Sequence, residues 1–139
     1  MAQSNQGPTG GLTPHIAIAD KRASEAIDFY IKAFGAVEQV RVPADDGVRL
    51  MHATLHINGA SLMMHDEFPE YVSEPSGKPN GVTLHLKVDD TDAWFQRAVD
   101  AGATAVMGPE DMFWGDRYAQ VKDPFGHLWS IGTPLKGEG

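Results

Sequence analysis

The chain has no cysteine among its 139 residues. That absence excludes a disulfide framework, a thiolate metal site and a thiol nucleophile. It also has no apolar run approaching the roughly 20 residues that a membrane-spanning helix needs. Basic residues are scarce, with 11 Lys and Arg against 19 Asp and Glu and a net charge of -8. Phosphate backbones are bound by clustered Lys and Arg, so this balance disfavours a nucleic-acid partner. Residues Met1 to Gly11 lack the basic-then-apolar order of a secretory signal. The expectation is a cytoplasmic protein with a disordered leader over 1–11, one domain over 12–134 and a loose tail over 135–139. With 42% hydrophobic and 22% charged residues, it has an ordinary composition for a globular chain with its own core.

What is present is a pattern written twice. Ala26-Ile27-Asp28-Phe29-Tyr30 leads to Phe34-Gly35, and later Ala98-Val99-Asp100 leads to Ala101-Gly102. From Gly35 to the turn at Asn58-Gly59 is 24 residues, and from Gly102 to the turn at Gly126 is again 24. Each copy reads strand, helix, strand, strand, strand. Module 1 covers about 12–65, a proline-rich acidic connector covers 66–81, and module 2 covers about 82–134.

Apolar Ala23, Ala26, Ile27, Tyr30, Ile31 and Phe34 recur at steps of three and four, predicting a helix that Gly35 ends. Asn58-Gly59 predicts a hairpin between strands at 49–57 and 60–65. Asp90 is placed to cap the second helix, whose buried side includes Phe95, Ala98 and Val99. The fold class is α+β: two tandem βαβββ modules forming a cupped mixed β-sheet with helices on the outer face. The first strands of the two copies are expected at Leu12 to Ala19 and Gly81 to Val88, and alternation turns Ile16, Ile18, Val82, Leu84, Leu86 and Val88 toward the helices. His15, His52, His56, His65 and His85 then share the opposite, polar face with Met63, Thr83 and Ser130. A polar sheet face lining a solvent-filled cup suits a small-molecule pocket.

His15 with Ala26-Ile27-Asp28-Phe29-Tyr30, Val88-Asp89-Asp90 and Asp123-Pro124-Phe125-Gly126-His127 resemble the vicinal oxygen chelate superfamily. That group contains glyoxalase I, extradiol dioxygenases and the fosfomycin- and bleomycin-resistance proteins. Phe113-Trp114-Gly115-Asp116-Arg117-Tyr118, running on to Trp129-Ser130-Ile131, is similar to its PhnB-like branch. The resemblance spans about 12–134 and implies a homodimer. Members of the branch are sometimes labelled demethylubiquinone methyltransferases, but this chain has no glycine-rich loop after a parallel strand to hold a methyl donor.

The superfamily's metal enzymes take one His or Glu ligand from each of four strands. The resemblance places those positions at His15, at Met63, at Thr83 (five before Val88) and at Ser130 (seven after Asp123). Thioether and hydroxyl groups are poor ligands for a catalytic divalent ion. The expectation is therefore no cofactor, with His15, His65 and His85 as the alternative, relocated ligand set. Without metal, His15 and His85 are candidate general bases. Strands near 103–107, 117–122 and 127–133 are expected to complete module 2. In the loop that runs into the middle one, over 113–118, Phe113 and Trp114 are candidates to stack on a ligand, and Arg117 to fix an anionic or carbonyl group. The competing reading of that loop is two aromatics anchored on the core beside a surface ion pair. The expected partners are a small-molecule ligand and a second copy of the chain, with neither nucleic acid nor membrane. The functional expectation is a small-molecule binding protein; the alternative is an enzyme of lyase or isomerase type.

Overall fold

A computed structural model describes residues 8, 10–71 and 77–135. Most of the expected leader, the tail from Lys136 onward and residues 72–76 of the connector lie outside the described residues. The elements run β1 (His15–Ile18), α1 (Ala23–Phe34), β2 (Val37–Pro43), β3 (Leu50–Ile57), β4 (Ala60–Asp66), β5 (Thr83–Lys87), α2 (Thr91–Ala101), β6 (Thr104–Asp111), β7 (Asp116–Lys122) and β8 (Leu128–Pro134). They build two four-stranded sheets of matching order, β1-β4-β3-β2 and β5-β8-β7-β6, each with one parallel pair. The chain divides into two units, Met1–Ile31 with Gly35–Gly77 and Lys32–Phe34 with Lys78–Gly139.

In the first unit, Ile16, Ile18, Ala53, Leu55, Leu62 and Met64 are buried with Ala23, Ala26, Ile27 and Tyr30 of α1. The helix lacks a local cap, because Arg22 offers no side-chain acceptor. Its cap arrives from β4. The buried Asp66 carboxylate accepts from Ala23 N at 2.8 Å and from Leu50 N at 2.7 Å. Asp66, expected to open the connector, is thus the last residue of a strand and holds helix and sheet together. Gly35 ends α1 in the left-handed region, with φ 70°. Asn58 and Gly59 both take positive φ, 52° and 84°, as a tight two-residue hairpin turn requires.

The second unit buries Leu86, Ala98, Ala119, Val121, Trp129 and Ile131, and Phe34 lies 4.6 Å from the Trp129 ring. Asp90 caps α2 through Ala93 N. Asp123 holds the β7–β8 turn by accepting from Phe125 N, His127 N and Trp129 Nε1, each at 2.9 Å.

Several expectations shift. β1 begins at His15 rather than Leu12, whose side chain is exposed, and Ile31 is partly exposed rather than buried. Val82 precedes β5 and is exposed instead of facing the helix. The strand expected near 117–122 is β7, which starts one residue earlier at Asp116, and the connection before it is a tight turn from Met112 to Gly115.

Candidate functional site

In the first unit, β1, β3 and β4 bring three imidazoles together. His15 stands edge-on to His65 at 4.9 Å between ring centroids and to His52 at 6.0 Å. His65 Nδ1 donates to the carbonyl of Asp66 at 2.8 Å. A carbonyl can only accept, so the neutral ring keeps its lone pair on Nε2. His52 Nε2 meets Thr54 Oγ1 at 3.0 Å. Burial, followed by the charges that His65 and His52 can carry, holds the His15 pKa below its ordinary value. His56 Nε2 is buried with no hydrogen-bond partner among the described residues. The face is less open than strand alternation alone predicts, since Thr54, Ser61 and Ser130 are buried.

In the second unit the same face carries His85. Its Nδ1 lies 2.7 Å from Ser130 Oγ, and its ring stacks on Tyr118 at 6.2 Å. The ring lies across β8 at Gly132, where an added Cβ would come within 3.0 Å of His85 Cε1. Any larger residue at 132 would push the imidazole away from Ser130. Gln120 Nε2 donates to Tyr118 Oη at 3.1 Å. The rings continue outward: Trp114 stands edge-on to Tyr118 at 5.3 Å, and Phe113 to Trp114 at 5.1 Å. Phe113 is 95% exposed and Trp114 48%, so neither anchors its turn on the core. Trp114 Nε1 donates to Asp116 Oδ2 at 3.1 Å.

Arg117 stands apart from these rings. Its guanidinium grips Asp92 at the start of α2 with two bonds, of 2.8 and 2.9 Å, and reaches Asp111 at 3.1 Å. It therefore lies on the helix side of β7, with Ala119 and Val121, while Tyr118 and Gln120 face His85. The same contacts hold the Asp92 carboxyl below its usual pKa. The expected role of Arg117 in fixing a ligand is thus replaced by tying β6, β7 and α2 together.

The ladders also correct one metal position. His15 pairs with Met63 across β1 and β4, and His85, not Thr83, pairs with Ser130 across β5 and β8. Thr83 sits one row away, opposite Leu128. At these paired positions the donors are an imidazole and a thioether in one unit and an imidazole and a hydroxyl in the other, with His85 Nδ1 already engaged by Ser130. No group of three His, Asp or Glu side chains among the described residues is arranged to hold a metal ion. These residues do not fit a catalytic divalent metal. Tyr118, Gln120 and Gly132 were missed by sequence reasoning. The period-two alternation that placed His85, applied to the strand expected near 117–122, would have placed Tyr118 and Gln120 as well.

Comparison with known proteins fits this geometry. The family model for the glyoxalase/bleomycin resistance protein/dioxygenase superfamily matches residues 13–131. An uncharacterized protein of Mycobacterium bovis is 52% identical over 130 residues, covering 90% of this chain and 84% of the relative. The crystal structure of TioX from Micromonospora sp. ML1 superposes with a TM-score of 0.69 at 29% identity, covering 90% of this chain and all of that one. The PhnB protein of Bacillus cereus superposes with a TM-score of 0.71 at 18% identity, covering 89% and 99%. That last likeness concerns the fold alone.

Proposed function

The chain belongs to the glyoxalase/bleomycin resistance protein/dioxygenase superfamily, and from that premise we propose that it binds a small organic molecule with an aromatic part, without a catalytic metal. The binding surface is the His85 face of the second sheet. One observation carries this reading: the continuous row of rings His85, Tyr118, Trp114 and Phe113, whose outer members stand in water. Burying an aromatic side chain is worth about 1.5–3 kcal/mol, so leaving Phe113 exposed forgoes stability that a ligand can recover. Placement in the PhnB-like branch, assembly as a homodimer and a cytoplasmic location belong to the same proposal and rest on the sequence and the resemblance.

The test is a fluorescence titration with 4-(2-naphthyl)butanamide in EDTA. Saturable binding is expected, weakened about tenfold in Trp114→Ala by the lost ring contact. Binding that appears only after zinc, nickel or manganese is added would overturn the metal-free reading.

A second reading, an enzyme of lyase or isomerase type, is favoured by the lowered pKa of His15. That shift keeps the imidazole unprotonated near neutrality, as a general base must be. Under it, deuterium exchange beside the keto group of 2-naphthylpyruvate should be catalysed and should be lost in His15→Ala. Under the first reading, the wild-type protein leaves that exchange at its background rate.

A further inference from the structure

The face that carries the rings ends in a hollow of about 290 Å³, lined by Asn80, Val82, Thr83, Lys122 and Leu128 among others. The ladders fix its position. Thr83 pairs with Leu128 and Leu128 with Lys122, and the next row is His85, Ser130 and Gln120. Alternate residues of a strand share a face, so the hollow begins about 7 Å from the His85 row. Its outer wall is the chain entering β5, which packs on the β7–β8 turn. A Cβ on Gly126 would come within 3.2 Å of Pro79 Cδ, and Gly126 has φ +97°. Glycine is what lets that wall close in.

This row carries a single charge. Across the second sheet the row reads Thr83, Leu128, Lys122, Thr104, so Lys122 is its one ionic side chain. The arginines Arg22, Arg41, Arg49 and Arg117 all sit against carboxylates. Lys122 forms no ion pair among the described residues, although acidic residues outnumber basic ones 19 to 11. Lys122 lines the same hollow as the neutral polar residues Asn80 and Thr83, and an ammonium without a counter-ion can receive one from a ligand.

We infer that the hollow is the carboxylate subsite of the proposed ligand face, with Lys122 as its counter-ion. The inference rests on the ring row being the ligand surface. The ligand class is then an aryl carboxylate whose ring and acid are separated by a short chain. The ring lies against His85, Tyr118 and Trp114, and the carboxylate reaches one row further to Lys122.

The test compares 4-(2-naphthyl)butanoate with its amide on the full chain, on Lys122→Met and on Trp114→Ala. Lys122 is exposed, and methionine keeps most of its apolar stem, so the fold is retained. The wild-type protein should bind the acid about tenfold more tightly than the amide, the preference shrinking as salt rises from about 0.05 to 0.5 M. Lys122→Met should bind both probes with the affinity that wild type shows for the amide. If the acid keeps its preference in Lys122→Met, the subsite is refuted, and weaker binding of both probes by Trp114→Ala would show that the ring surface still stands. If Trp114→Ala changes neither probe while Lys122→Met removes the preference, the hollow stands and the ring reading fails. Binding of neither probe by the wild-type protein refutes both.

Discussion

Arg117 and Tyr118 are neighbours in β7 but do different work, because alternate residues of a strand point to opposite faces. Arg117 joins Asp92 and Asp111 on the helix side, where a partly exposed ion pair contributes little to stability. Arg117→Met should therefore leave naphthyl-probe affinity unchanged and lower the thermal midpoint by a few degrees at most, as calorimetry and the same titration would show. A large loss of affinity would return Arg117 to the ligand site. His15 gives a pH signature. Its folded-state pKa lies below its ordinary value of 6.5, so the unfolded chain takes up this proton first as pH falls. Stability should be unaffected by this group well above neutrality and should decline as pH drops through the ordinary histidine range. His15→Asn should flatten that decline in urea denaturation curves collected between about pH 8 and pH 5.

Element ends show which parts of the fold were legible in the sequence. Gly35, Asn58-Gly59, Asp90 and Asp123 act within a few residues of where they stand, so their roles could be read locally. Asp66 acts across 43 residues on Ala23 and across 16 on Leu50. No local pattern announces that it caps α1. Asp66→Ala would leave two backbone N–H groups unpaired beside buried Ala23 and Leu50. The expected cost is about 2–4 kcal/mol by chemical denaturation, with no change in helix assignment. A cost below about 0.5 kcal/mol would mean that α1 is held by its apolar stripe alone. Register was the other hidden quantity. Alternation put the five histidines on one face, but only strand pairing sets His85 beside Ser130 and Thr83 opposite Leu128.

Over the whole chain, the duplicated pattern visible in the sequence returns as two sheets of matching strand order, each with a histidine at the corresponding parallel step. Met63 and Ser130 stand beside the two histidines, and the second unit carries a row of rings with an exposed outer end. The candidate site was legible to the extent that it depends on face. It was not legible where it depends on neighbours, as with Tyr118 and Gln120 around His85.

The most direct measurement is residue-resolved amide NMR of the protein titrated with 4-(2-naphthyl)butanamide in EDTA, repeated with zinc. The account predicts shifts concentrated on His85, Trp114, Tyr118, Gln120 and Ser130, identical with and without the metal. Shifts concentrated on α2, or binding that appears only with zinc, would contradict it.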